Sequence, residues 1–215
     1  MNAPACLRRV AQEGDLPPHY EVEQNLFTRG HRWVAGVDEA GRGPLAGPVS
    51  AAAVILDPDD LPDGLDDSKV LSPERRDKLY GVILARAVAV GVGLASVAEI
   101  DAINIRQASF AAMRRAVAAL ALRPTYVLVD GKDPPAALPC PVDTIIKGDG
   151  LSLSIAAASI IAKVARDRLM TRLHDQHPEY GFSRHKGYAT AAHRAAIAVH
   201  GLTTHHRRLF CATAG

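Results

Sequence analysis

The stretch VDEAGRGPLAG, residues 37–47, can be read in two ways, and the two imply different folds. From Gly41 it fits Gly-x-Gly-x-x-Ala, a form of the loop that cradles a dinucleotide. From Asp38 it is a pair of adjacent carboxylates at a strand end, beside a glycine-rich turn, which suggests a metal site. The cradle requires its glycines to open a helix. Pro44 and Pro48 interrupt the run instead, and VSAAAVIL (49–56) then reads as a buried strand. Asp60 or Asp63 could serve as the cradle's distant acid, but without the helix the match carries little weight. The metal reading goes forward.

Working outward, Trp33–Asp38 is a short strand that ends on polar residues, and Val49–Leu56 is a second. The segment 57–67 is an acidic loop punctuated by Pro and Gly. Ser72 is placed to cap a helix, Pro73 suits its first position, and Arg75–Ala87 continues it. Ala87–Val97 alternates like a third strand. Ala98–Leu120 is a long Ala-rich helix stopped by Pro124. Thr125–Asp130 and Val142–Lys147 are two further strands. Leu151–His174 and Ala189–Val199 are the remaining helices. Short links between the first three strands predict an antiparallel meander, and the later alternation predicts parallel additions. The expected fold is α/β, a mixed five-stranded sheet flanked by helices with a helical C-terminal part. Residues 1–30 show no sustained period and read as a loosely ordered arm ahead of a single domain over 31–215.

Composition sets the outer bounds. The chain has 215 residues, 48% apolar and 22% charged, which suits one soluble domain. A net charge of +2 is too small to indicate nucleic acid by itself. Cys6, Cys140 and Cys211 form neither a disulfide framework nor a Cys-x-x-Cys site, so a reducing compartment is expected. The N-terminal residues lack a signal peptide's apolar core, and no segment has the length of a membrane span. The expected location is the cytoplasm.

Four acids stand out. Asp38 and Glu39 end one strand and Asp130 ends another, where ligands gather in open α/β sheets. Taken alone, Asp130 before Gly131 would ordinarily be a turn acid. Asp167 shares a helix face with Leu153, Ala156, Ile160, Val164 and Met170. An acid on such a stripe must be paired or bind a cation. Lys163, one turn earlier, is the simple partner. A metal shared with the strand-end acids is the other possibility. Clustered carboxylates stay ionised around divalent cations, and all-oxygen ligands suit Mg²⁺ or Mn²⁺. Adjacent residues on a strand face opposite ways, so Asp38 and Glu39 can share a site only where the strand ends or bends.

The motifs GVDEAGRGPLAGPV (36–49), DSKVLS (67–72), VLVDG (127–131), KGDG (147–150), AAASIIAKVARDR (156–168) and HKGYAT (185–190) together resemble the bacterial ribonuclease HII family. The resemblance spans roughly residues 33–210. It implies a ribonuclease H-like fold and an endonuclease that cuts the RNA strand of RNA–DNA hybrids. It also implies incision 5′ of single ribonucleotides embedded in duplex DNA, as in ribonucleotide removal and primer processing. The family's four catalytic, metal-binding carboxylates fall on Asp38, Glu39, Asp130 and Asp167. Its Gly-Arg-Gly element falls on Gly41, Arg42 and Gly43, whose backbone is expected to approach the ribonucleotide's 2′-hydroxyl, the group that separates RNA from DNA. Its tyrosine falls on Tyr188, expected to stack on the next sugar.

Lys69 and Lys147 are similar to the family's phosphate contacts, though each alone would be an ordinary surface lysine. Arg184, His185, Lys186, His205, His206, Arg207 and Arg208 are expected to form basic clusters for the duplex backbone. Val70 departs from the polar or basic residue of many relatives, and no sliding-clamp motif is seen. Nine histidines show no zinc spacing, and zinc is set aside. A monomer is expected. The competing class is a non-catalytic hybrid-binding module on the same fold.

Overall fold

The computed structural model describes residues 17–212. Its five strands are β1 (Val34–Ala40), β2 (Val49–Ile55), β3 (Ala89–Ala95), β4 (Tyr126–Asp130) and β5 (Val142–Ile145). The sheet order is β3-β2-β1-β4-β5. β1, β2 and β3 form the expected antiparallel meander, with the helix Pro73–Arg86 inserted between β2 and β3, while β4 and β5 join in parallel.

Both faces of the sheet are covered, so its strands are apolar on both sides. On one face Ala35, Val37, Ala51, Ala53 and Val129 pack against α3 (Val97–Ala118). On the other, Ala52 and Val54 pack against α4 (Leu153–Gln176) and α2 (Pro73–Arg86). Small residues bring α4 unusually close to β1. A Cβ added to Gly36 would sit 2.1 Å from the Ser154 carbonyl carbon, so the helix crosses where the strand has no side chain.

The helix start read at Ser72 and Pro73 acts as expected. The Ser72 hydroxyl accepts the Arg75 N–H at 3.3 Å, and Pro73 occupies the first turn of α2. Ser96 and Glu99 form a capping box at the start of α3. α3 is not one continuous helix, however. Asn104 breaks it at φ 65°, and the Asn104 side chain accepts the Gln107 N–H at 3.1 Å, recapping the second part.

The N-terminal expectation needs correction. Residues 1–16 of the proposed arm lie outside the described residues, but 20–30 are not loosely held. Glu21–Phe27 is a helix, α1, that buries Leu26 and Glu23. The Glu23 carboxylate accepts the Ser152 hydroxyl at 2.5 Å and the Ser154 N–H at 2.9 Å. It thereby meets the positive end of α4, which favours a buried carboxylate. Without tertiary contacts such a two-turn helix has no period long enough to show in sequence.

After α4 the chain forms the short helix α5 (Phe182–His185), then α6 (Ala191–His200) and α7 (Arg208–Ala212). Among the described residues no helix is long and apolar enough to cross a membrane.

Candidate active site

β1 and β4 lie side by side in parallel, with Val37 opposite Val129. One residue further on, Asp38 and Asp130 come together at the carboxyl edge of the sheet. The parity of the strands puts both toward the α4 side, because Val37 and Val129 face α3. Glu39 therefore turns the other way. It lines a cavity of about 390 Å³ with Phe110 and Met113 of α3. Glu39 and Asp130 also line a second cavity of about 460 Å³, together with Asp38, Gly41–Gly43, Ser68, Lys69, Lys163 and Tyr188. The two cavities meet over the strand ends. Adjacent acids thus serve one cleft from opposite faces of the sheet, because the sheet stops there.

The charges are under strain. Asp38 is 5% exposed, and burial together with Glu39, Asp130 and Asp149 pushes its carboxyl well above the usual range. One bond opposes this: Asp38 Oδ1 accepts the Glu39 N–H at 2.7 Å. Burial, and next the Asp149 charge, raise Asp130 to about 6, although its Oδ1 accepts the Gly148 N–H at 2.7 Å. Burial also raises Glu39, against the pull of the Arg42 guanidinium 3.1 Å away.

Asp167 is placed differently. Its side chain is 20% exposed and takes the simple partner, Lys163, at 2.9 Å. Lys163 is the member of this pair that lines the cleft with the strand-end acids. Tyr188 is 45% exposed, and a Cβ placed on Gly43 would lie 3.7 Å from its ring. Gly41 has φ 94°, and a Cβ there would sit 2.0 Å from Arg166 Nε, so only glycine fits. The glycines open no helix; β2 follows them, which removes the dinucleotide reading.

Lys69 reaches the cleft but is held by Asp149 at 3.2 Å and Asp67 at 3.5 Å. Lys147, in the left-handed conformation, is exposed on the cavity of about 390 Å³ that Glu39 lines with Phe110. Two members of the expected basic clusters are not surface groups at all. His206 is 1% exposed and Arg207 fully buried, the first bonded to His193 and Thr203 and the second to backbone carbonyls, whereas Arg184 and Arg208 are exposed.

Sequence reasoning missed Asp149. It is 6% exposed in the 3₁₀ turn Gly148–Gly150 and raises the pKa values of both Asp38 and Asp130. An Asp between two glycines reads as turn chemistry. Its partner Lys69 lies 80 residues away, so only folding makes it a fifth acid near the cleft.

Among the described residues no three His, Cys, Asp or Glu side chains close into a metal cage. The donors nonetheless suit Mg²⁺ or Mn²⁺. Such hydrated ions take one or two carboxylates plus waters and substrate phosphate, and a cation would relieve the repulsion that raises Asp38 and Asp130.

Buried acids thus gather at the carboxyl edge of a mixed sheet with helices on both faces. The ribonuclease HII family model matches residues 35–213. The chain is 54% identical over 211 residues to a ribonuclease HII of Ruegeria pomeroyi, covering 96% of this chain and 90% of that one. It is 57% identical over 189 residues to one from Brucella canis, covering 87% and 86%. The fold is similar to ribonuclease H2 of Pyrococcus horikoshii, with TM-score 0.72 and 28% identity over 85% of this chain and 96% of that one. The chain belongs to the ribonuclease HII family and is an endoribonuclease of the ribonuclease H type.

Proposed function

We propose that this chain hydrolyses the RNA strand of RNA–DNA hybrids and incises duplex DNA 5′ of a single embedded ribonucleotide, leaving a 3′-hydroxyl and a 5′-phosphate. The observation that carries this reading is the meeting of Asp38, Glu39 and Asp130 in one cleft with Gly41–Gly43 and Tyr188. Asp38 and Asp130 would hold Mg²⁺ or Mn²⁺ most directly, and the bound ions would supply activation of water and stabilisation of the leaving oxygen. Glu39, bonded to Arg42, and Asp167, bonded to Lys163, complete the set.

Gly41 and Gly43 let backbone approach a sugar that side chains would exclude. Tyr188, beside Gly43, stacks on the next sugar, where a further 2′-hydroxyl would crowd the ring. Lys69 and Lys147 meet phosphates, which position the duplex without reading its bases. A purely binding module would have no use for acids held at such electrostatic cost.

The test is incubation of the chain with duplex DNA carrying one ribonucleotide, with and without Mg²⁺ or Mn²⁺. Metal-dependent incision 5′ of that residue is expected, and Asp130→Asn is expected to abolish it while the duplex still binds. Normal cutting by the variant would remove the catalytic assignment.

A further inference from the structure

Arg207 is fully buried, and its guanidinium bonds to uncharged acceptors. Nε donates to the Gly47 carbonyl at 2.9 Å and Nη1 to that of Arg42 at 2.8 Å. Nη2 donates to the carbonyls of Gly41 at 2.6 Å and Pro48 at 3.2 Å. Burying a charge on these terms is costly. Burial, more than any neighbour, lowers the Arg207 pKa to about 9.

What the four bonds accomplish is orientation. In a trans peptide the C=O and the following N–H point in opposite directions. Drawing the Gly41 and Arg42 carbonyls toward Arg207 therefore turns the N–H groups of Arg42 and Gly43 away from it. Both residues line the cleft. A lysine, with one point charge, cannot hold this many fixed carbonyls at once.

His206, the preceding residue, connects through His193 to the Tyr188 carbonyl. Its Nδ1 accepts the Thr203 N–H at 3.0 Å, which leaves its proton on Nε2. That Nε2 faces His193 Nε2 at 3.1 Å, so His193 accepts there and carries its own proton on Nδ1. His193 Nδ1–H donates to the Tyr188 carbonyl at 2.9 Å. One pair of neutral tautomers satisfies the whole chain of bonds. Main-chain bonds join the same pieces: Arg207 N–H to Leu45 O at 2.7 Å, Gly47 N–H to His205 O at 2.8 Å, and Leu45 N–H to Gly187 O at 2.8 Å.

We propose that His206 and Arg207 are positioning residues for sugar discrimination. Arg207 aims the N–H groups of Arg42 and Gly43 into the cleft, and His206, through His193, holds Tyr188 at the spacing that a ribose followed by a deoxyribose requires. This rests on the roles given above to Gly41–Gly43 and Tyr188.

The first test measures binding by the full chain carrying Asp130→Asn, using an all-DNA duplex and the same duplex with one ribonucleotide. Adding Arg207→Lys is expected to lower the preference for the ribonucleotide about tenfold, the scale of a lost charge-assisted hydrogen bond. Affinity for the all-DNA duplex, set by phosphate contacts, should stay within about twofold. An unchanged preference in a folded variant overturns the proposal.

The second test is kinetic and tests the histidine pair independently of Arg207. His193→Leu is expected to lower kcat at a lone ribonucleotide about tenfold with KM little changed. His193→Asn keeps a donor for the Tyr188 carbonyl and should restore most of that loss. Equal impairment by Leu and Asn overturns the role of the histidine pair. If the Asp130→Asn parent shows no preference for the ribonucleotide, the sugar-reading roles themselves fall, and this proposal with them.

Discussion

Replacing Asp130 with Asn should make the protein more stable while making it inactive. Asp130 ends β4 and is raised to about 6 by burial and the Asp149 charge. Relative to an ordinary Asp near 4, that difference corresponds to about 3 kcal/mol. An acid whose folded-state pKa exceeds its unfolded value favours folding when protonated. The penalty is therefore absent below about pH 4, develops as pH rises through about 6, and is complete at pH 7. Asp38, Glu39 and Asp149 share the repulsion, so part of the relief goes to them. Asn retains an oxygen to accept the Gly148 N–H. About 1–2 kcal/mol of stabilisation should remain at pH 7, or roughly 2–8 °C in Tm for a chain of this size.

The assay is thermal unfolding of both proteins in chelator at pH 7 and again near pH 4. The gain should appear at pH 7 and vanish at the lower pH. Saturating Mg²⁺ should then stabilise the unsubstituted chain, by about 2.7 kcal/mol at a hundred times its Kd, and stabilise the variant far less. A variant less stable than its parent at pH 7 in chelator would refute the reasoning, because the acids would then not be held apart from their preferred protonation states.

Two further outcomes follow from the geometry. Tyr188→Ala should lower cleavage at a lone ribonucleotide more than it lowers duplex affinity, because the exposed ring sits beside Gly43 rather than along a phosphate track; parallel kcat and Kd measurements check this, and equal losses would count against stacking. Gly36→Ala should cost about 3 kcal/mol or more in urea unfolding, since its Cβ would meet the α4 backbone at 2.1 Å and neither element can yield alone.

Much of the fold could be read in one dimension because its cues are local. Pro44 and Pro48 deny the glycine run a helix, Ser72-Pro73 starts α2, and the short link between β1 and β2 makes that pair antiparallel. The strand-end acids Asp38, Glu39 and Asp130 could be picked out for the same reason. Helix α1 could not, since its order comes from Glu23 meeting the start of α4 across the fold. Nor could the break at Asn104, where a side-chain bond recaps the helix.

Residue type alone also misjudged the C-terminal cations. His206 and Arg207 read as surface charges for a duplex, and folding buries both to orient main chain. The amino-acid order thus determined the sheet, its likeness to a known nuclease family and three acids of the cleft. Folding decided which opposite-facing acids meet at one edge and that Asp149 joins their field. The physical reason is range. Turn and capping chemistry acts within a few residues, whereas burial and electrostatic repulsion depend on groups that only the folded chain brings together.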